Sequence, residues 1–258
     1  MQPFSKLALA VLLAHLLGDF PLQTSNIVQG KDRGSRAYLV HGGIHFLVLT
    51  LCIAVFVGLE LLGSLRFWIV VGVYIVVHIG IDRAKQGLVS TKKLADSASV
   101  FVIDQLLHIC TIILLAWFLT RPGWSSVRSE FSWSPATGER VLEAAIVYVT
   151  VLFAGGYLIR YLTRNLTAGI EKPGETQEQV KNAGMYIGWL ERFLVVTAIL
   201  VQWPSMVGLI LTGKSIAISG VERATRRVLS DRHIAECWTS CAGRLVLAKL
   251  WYGTISLK

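Results

Sequence analysis

The feature that most constrains this sequence is a series of long apolar runs separated by short polar and basic segments. Hydrophobic residues make up 53% of the 258 residues and charged residues only 16%, whereas soluble domains contain about 25% charged residues. A helix of about 20 apolar residues is long enough to cross the hydrocarbon core of a bilayer. The sequence therefore predicts an all-α fold, a polytopic transmembrane helical bundle with the lipid bilayer as its solvent.

Seven runs have the length and composition expected of membrane spans. They lie at about 4–20, 38–63, 66–84, 97–119, 140–162, 185–202 and 204–219. We expect four regions: 1–120 as a four-helix bundle, 121–164 as a loop and fifth helix, 165–183 as a charged cytoplasmic linker, and 184–258 as a C-terminal helical region. The arginines within residues 221–232 predict an interfacial basic segment. The mildly apolar composition of residues 234–257 predicts an amphipathic helix or a packed tail.

The basic residues are distributed unevenly between alternate loops. If the N-terminus lies outside, the inside loops up to the last predicted span hold Lys31, Arg33, Arg36, Arg83, Lys85, Lys92, Lys93, Arg160, Arg164, Lys172 and Lys181. The opposite segments hold only Lys6, Arg66, Arg121, Arg128 and Arg140. Cytoplasmic loops are enriched in Lys and Arg, so we predict an outside N-terminus. The net charge of +9 is then a topology signal, and no nucleic-acid partner is expected.

Each of the first four spans carries two His or Asp residues at a spacing of four. The pairs are His15 and Asp19, His41 and His45, His78 and Asp82, and Asp104 and His108. Residues four apart lie on one face of a helix, one turn apart. The pairs lie near the inner end of each span, so antiparallel packing would bring all eight side chains to one level in the cytoplasmic half of the bilayer.

Ionisable groups inside a membrane are costly and normally pair with one another or with an ion. Imidazole and carboxylate ligands suit zinc, manganese or iron, and helical bundles build metal sites from such inward-facing pairs. The eight residues therefore predict a site for one or two divalent metal ions, with Asp19, Asp82 and Asp104 as candidate bridging ligands, orienting groups or general base. A proton relay or another polar network, and a haem held by two histidines, remain as alternatives.

Other polar residues flank these pairs and admit two interpretations each. A polar entrance or a solvated loop is indicated by Gln23, Asn26 and Lys31. Arg83, Lys85 and Gln105 could contact an anionic group of a substrate, such as a phosphate or carboxylate. For the two basic residues we favour the alternative, in which their side chains extend to the lipid headgroups. Close helix approach or routine membrane glycine explains Gly18, Gly42, Gly43 and Gly80.

Several of these stretches resemble a bacterial inner-membrane family known as domain of unknown function 3307. The resemblance is carried by HLLGDFPLQ at His15–Gln23, LVHGGIH at Leu39–His45, HIGIDRAK at His78–Lys85, DQLLH at Asp104–His108, GWLER at Gly188–Arg192 and KSI at Lys214–Ile216. It covers about residues 5–120 and 184–218, and it implies a multi-pass protein of the bacterial inner membrane. The His/Asp pattern alone is similar to that of inner-membrane-associated metal-dependent hydrolases, which implies a hydrolase by analogy.

The leading hypothesis is an intramembrane metal-dependent enzyme, a hydrolase acting on a lipid-linked or membrane-accessible small-molecule substrate. A bound metal ion would activate water for such a reaction. A divalent-cation transporter is the first alternative, and a membrane adaptor whose metal is structural is the second. All candidate ligands lie toward one side of the bilayer, which favours an enzyme over a transporter.

Overall fold

The computed structural model describes residues 4–32, 34–123, 137–167, 176–203 and 205–219. All regular structure in these ranges is helical, and they contain no strand. The α-helices are α1 (Phe4–Asp19), α2 (Ser25–Lys31), α3 (Ser35–Cys52), α4 (Leu65–Ser90), α5 (Ala98–Thr120), α6 (Thr137–Val149), α7 (Gly155–Thr167), α8 (Thr176–Leu200) and α9 (Ser205–Ser219). The predicted all-α fold is confirmed for the described part of the chain. The predicted interfacial segment at 221–232 and the tail at 234–257 lie outside it.

Four helical segments are long and apolar enough to cross a membrane. They are Ser35–Val57, Leu65–Ser90, Ala98–Thr120 and Glu139–Arg164. The first of them continues α3 through a π-helical turn at Ile53–Val57. These segments coincide with the second to fifth predicted spans. The other three predicted spans lie in α1, α8 and α9, and the total of seven remains a prediction.

Three helix boundaries differ from the sequence-based expectation. The segment after the first span, interpreted mainly as a loop, contains the short helix α2. The second span, expected to run to about residue 63, is interrupted at Gly58, whose φ of 126° suits a residue without a Cβ. Helix α8, which contains the sixth predicted span, begins at Thr176, inside the segment expected to be a linker. Such boundaries depend on local capping and turn chemistry, to which hydropathy is insensitive.

The chain forms two compact units, Met1–Val149 and Thr150–Lys258. In the first unit α1 packs against α3, α5 and α6, while α4 packs against α3 and α5. The short helix α2 packs against α3. The first four predicted spans therefore form one helical bundle around α1.

The apolar core of this bundle lies to one side of the His and Asp residues along the helix axes. Core residues include Leu7 and Val11 of α1, Leu49 of α3, Phe67 and Val71 of α4, and Ile112 and Leu115 of α5. In α1 and α4 the core residues precede the polar pair, and in α3 and α5 they follow it. Since the four helices alternate in direction, these apolar residues form one layer of the bundle, and the His and Asp residues form a second layer beside it along the helix axes.

The outward faces of the same helices are also apolar. Leu39 is 70% exposed, Val55 73% and Val76 70%. Large apolar side chains so exposed on long apolar helices are expected where lipid is the solvent.

In the second unit, α8 packs against α9 and against the π-helical turn Thr150–Ala154. The ring centroids of Phe153 and Trp189 lie 5.2 Å apart. Glu191 and Arg192 are adjacent in the sequence of the sixth predicted span, a position that suits either a structural pair or part of a site. Arg192 is buried, and its guanidinium packs so closely on Gly156 that a Cβ there would lie 3.1 Å from Nη2. This packing supports a structural role for Arg192 within its own unit.

Candidate metal centre

The eight predicted residues come together at the polar end of the first bundle. Each helix turns its pair inward because the two side chains share one face. All five imidazoles are at most 1% exposed, and the carboxylates of Asp19 and Asp104 are also buried. Asp82 is more open, with 10% of its side chain exposed. Because a buried polar group without a partner is costly, we expect these groups to satisfy one another or an ion.

Asp19 lies at the centre of the imidazoles. Its Oδ1 atom is 2.9 Å from Nε2 of His45, 3.3 Å from Nε2 of His41 and 3.4 Å from Nε2 of His78. Its Oδ2 atom is 3.6 Å from Nε2 of His15. Four rings from three helices therefore point the same nitrogen at one carboxylate.

The second carboxylate, Asp82, continues the cluster on its other side. Its Oδ2 atom lies 3.2 Å from Nε2 of His41, and its Oδ1 atom lies 3.7 Å from Nε2 of His108. Asp104 lies beyond His108 on α5, with Oδ1 3.8 Å from Nδ1 of that ring. The eight side chains thus form a continuous chain of contacts across four helices.

The separations within this cluster match those of a coordination shell. With metal–nitrogen bonds of about 2.0–2.1 Å, two ligand atoms of a tetrahedral site lie about 3.3–3.4 Å apart. Nε2 of His41 is 3.2 Å from Nε2 of His78, and both atoms lie at 3.3–3.4 Å from Oδ1 of Asp19. Two imidazole nitrogens and a carboxylate oxygen at these distances can be bound by one cation.

His108 is prepared for metal binding by its own backbone contact. Its Nδ1 atom lies 2.8 Å from the carbonyl oxygen of Asp104. A carbonyl oxygen only accepts, so Nδ1 carries the proton and donates it. Nε2 therefore presents a lone pair, and this buried atom has no hydrogen-bond partner within the described residues. Metal-binding histidines generally donate their second ring N–H in this way.

Three overlapping groups of four or three ligands fit a metal ion in the described part of the chain. They are His15, Asp19, His45 and His78; Asp19, His41, His78 and Asp82; and Asp82, Asp104 and His108. The candidate atoms of each group lie within 4.8 Å of one another. Asp19 and Asp82 each belong to two groups, so either carboxylate is placed to bridge two neighbouring ions.

Two lysines close the exposed end of the cluster. Nζ of Lys31 donates to Oδ2 of Asp82 at 2.5 Å, and Nζ of Lys85 donates to Oδ2 of Asp104 at 2.8 Å. The Lys31 ammonium lies 5.7 Å from the ring centroid of Tyr38, and the Lys85 ammonium lies 6.0 Å from that of Phe101. Each ammonium group therefore contacts both a carboxylate and an aromatic ring at this end of the cluster, which we call the mouth of the site.

The glycines beside the pairs fall into two classes. A Cβ on Gly18 would lie 2.5 Å from Nε2 and Cε1 of the His45 ring, and a Cβ on Gly42 would lie 2.6 Å from Cδ1 of Ile79. Nothing lies within 4 Å of a Cβ on Gly43 or Gly80. Close approach, one of the two interpretations considered for all four, applies to the first two.

Residues 7–134 match the model of the family described as "Protein of unknown function (DUF3307)". This matched segment of the chain belongs to the family. The matched DUF3307 segment contains all eight candidate ligands and both lysines. No curated protein and no solved structure matches the chain, so these comparisons supply no reaction.

Within this DUF3307 segment, the contacts at the mouth of the site were only partly predictable from the sequence. Snorkelling was the favoured interpretation for Lys85, but its ammonium binds Asp104 instead. Tyr38 was not singled out, although it lies three residues before His41 and therefore on the same helix face. The guanidinium of Arg83 packs against this ring as well, with Cζ 5.6 Å from the centroid. Gln105 donates to Oδ2 of Asp104 at 3.2 Å, so it also contributes to this end of the cluster.

Proposed function

We propose that the chain is an intramembrane metal-dependent enzyme, a hydrolase acting on a lipid-linked or membrane-accessible substrate. The observation that carries this proposal is the convergence of imidazole nitrogens on Asp19 and Asp82 at the spacing of a coordination shell. One or two divalent ions, zinc, manganese or iron, would be held by His15, Asp19, His41, His45, His78, Asp82, Asp104 and His108. Such an ion supplies Lewis-acid activation of water and of a substrate oxygen.

The position of each residue in the cluster indicates whether it would bind metal or act as a general base. His78 and Asp19 are shared by the two histidine-rich groups, so we assign them as ligands under either one-ion or two-ion binding. Asp82 and Asp104 lie at the end of the cluster where Lys31 and Lys85 bind, and a carboxylate oxygen that is not bound to metal can accept a proton from water there. These two carboxylates are therefore the candidates for a general base.

The layered core favours an enzyme over a transporter. A transport path would have to continue from the polar layer through the other half of the bundle. Phe67, Val71, Leu49 and Ile112 fill that region and are at most 2% exposed. The lysine-bearing end is thus the side from which we expect a substrate to approach, which suits an enzyme that acts from one face of the bilayer.

We further propose seven spans in the bacterial inner membrane, with the N-terminus outside. The basic residues near the mouth of the site, including Lys31 and Lys85, then face the cytoplasm, as the positive-inside rule predicts. The substrate would approach from the cytoplasmic surface or from the inner leaflet.

Hydrolysis can be tested without knowing the substrate in advance. The purified chain, loaded with Mn²⁺ or Zn²⁺, is incubated in vesicles of bacterial lipid extract in H₂¹⁸O, and the products are analysed by mass spectrometry. We expect metal-dependent ¹⁸O incorporation that is lost in His78→Ala. Val77→Ala, a substitution of an exposed neighbour, is the matched control and should behave as wild type.

Two results would contradict the proposal. One is the absence of ¹⁸O incorporation by a chain that demonstrably holds metal. The other is metal flux across proteoliposomes that disappears in His78→Ala, which would identify the cluster as a transport site.

A further inference from the structure

The two lysines at the mouth of the cluster bind carboxylates that belong to one candidate metal group. Lys31 reaches Asp82 from the end of α2, and Lys85 reaches Asp104 from α4. Oxygens of these two carboxylates lie within 4.8 Å of one another. Both ammonium groups therefore approach the same end of the same cluster, although they come from different helices.

Metal binding gives the cluster a net positive charge, which an anion can balance. With neutral imidazoles, three carboxylates and two ammonium groups leave a single negative charge. One divalent cation reverses this to a single positive charge, and two cations leave three positive charges. Uncompensated charge is expensive in a medium of low dielectric constant, so a site that holds metal attracts an anion to its lysine-bearing end.

The position of the lysines suits them to hold that anion. A metal ion competes with each ammonium group for the same carboxylate oxygen. Once the oxygen is bound to metal, the ammonium is free to donate to a ligand at the mouth, while Tyr38 and Phe101 keep the two lysines in place. Lys31 is also steadied by Gln23, whose amide oxygen accepts from Nζ at 2.7 Å in the orientation that satisfies both ends of the amide.

Resting on the proposed function, we propose that the substrate carries a phosphoryl group, which Lys31 and Lys85 bind next to the metal site. A phosphoryl group offers several anionic oxygens, enough to contact two ammonium groups and a cation together. Paired metal ions with cationic side chains are a recurrent means of hydrolysing phosphate esters. The group can belong to a lipid headgroup or to a soluble phosphate ester.

The reaction balances without any further reactant. The oxygen of water forms a bond to phosphorus, and the bond from phosphorus to the alcohol oxygen breaks. One proton of water passes to the alcohol oxygen and the other remains with the released phosphate. No oxidant or reductant is involved.

Binding can be measured independently of turnover. The chain is loaded with Mn²⁺ in lipid bicelles, and the dissociation constant of inorganic phosphate is determined by calorimetry. We expect Lys31→Met and Lys85→Met each to weaken phosphate binding about tenfold or more, the lower end of what a hydrogen bond to a charged group contributes. Lys31→Arg and Lys85→Arg should retain most of the binding. Lys93→Met, which removes an exposed lysine, is the matched control.

A second measurement identifies the source of the group. Bound Mn²⁺ broadens the ³¹P signal of nearby phosphorus, so bicelles containing phosphatidic acid are compared with bicelles of phosphatidylcholine to which glycerol phosphate is added. Broadening of phosphatidic acid supports a lipid substrate, and broadening of glycerol phosphate supports a soluble one. Either result, when it is reduced in the two lysine-to-methionine variants, supports the proposal.

The failures of the two proposals are distinguishable. A wild-type chain that retains no Mn²⁺ refutes the proposed function and this inference with it. A chain that retains Mn²⁺ but binds no phosphate, or binds it equally well in Lys31→Met, Lys85→Met and Lys93→Met, refutes only the inference. Tighter binding of acetate than of phosphate would also overturn it.

Discussion

Replacing Gly18 by alanine perturbs the candidate metal centre without changing any of its ligands. The new methyl group would lie 2.5 Å from Nε2 and Cε1 of His45 and 2.9 Å from its Cδ2. Ordinary contacts begin at 3.4 Å, so the ring must move by about 0.9 Å. Because His45 donates to Asp19 at 2.9 Å, this movement displaces one candidate ligand and disturbs its contact with another.

The expected loss of metal affinity follows from how little displacement of a ligand a metal site tolerates. Ligand distances in functional metal sites hold to within about 0.2 Å, well below the required displacement. Even substitution of a residue that only orients a ligand lowers metal affinity by about 10–100-fold. We expect Gly18→Ala to lower the affinity at least as much, and overpacking to cost about 1–3 kcal/mol of folding free energy. Metal affinity is measured by competition with a chelating dye, and stability by thermal unfolding of the metal-free protein.

Gly80→Ala is the matched control, because it makes the same substitution between His78 and Asp82, where nothing lies within 4 Å of the new Cβ. It should retain wild-type metal affinity and unchanged or slightly higher stability, since alanine favours helices over glycine. Wild-type affinity in Gly18→Ala, or equal losses in both variants, would refute the packing argument.

Three further predictions follow from the same contacts. Gly42→Ala should lower the melting temperature through the contact of its new Cβ with Cδ1 of Ile79, while the protein keeps its metal. Adding Ile79→Val, which removes that Cδ1 atom, should restore the melting temperature, and no recovery would argue against this contact. Asp19→Asn should release more metal than Asp104→Asn in elemental analysis, because Asp19 belongs to two ligand groups and Asp104 to one, whereas the opposite order would contradict the assignment of Asp19 as a shared ligand. Proteoliposomes enclosing a metal-sensitive dye should show no more flux with wild-type protein than with His78→Ala, since the buried apolar layer closes the other half of the bundle; flux with wild type alone would show that this layer is not a barrier.

The level of the polar pairs could be predicted from the sequence because helix geometry fixes it. A spacing of four residues places both members of a pair on one face, and the positions of the pairs within alternating spans indicate a common depth. The partners within the cluster could not be predicted in the same way. His15 and Asp19 form a sequence pair, yet the nearest ring nitrogen to Asp19 comes from His45 on another helix. Such contacts depend on how helices pack, and hydropathy does not specify that.

The mouth of the site was less accessible to sequence reasoning. A helix as short as α2 leaves little periodic signal, and the place of Lys31 depends on its packing against α3. Lys85 was ambiguous because a lysine beside an intramembrane carboxylate can bind it or extend to the headgroups. Only the three-dimensional positions of Asp82 and Asp104 distinguish these possibilities.

The central claim is that eight side chains from four helices hold a cation, and metal stoichiometry tests it most directly. The purified chain is loaded with Mn²⁺ or Zn²⁺, dialysed and subjected to elemental analysis beside the double variant His78→Ala/Asp82→Ala. The account predicts one to two equivalents of metal in the wild-type protein and almost none in the variant. Equal trace amounts in the two proteins would contradict it.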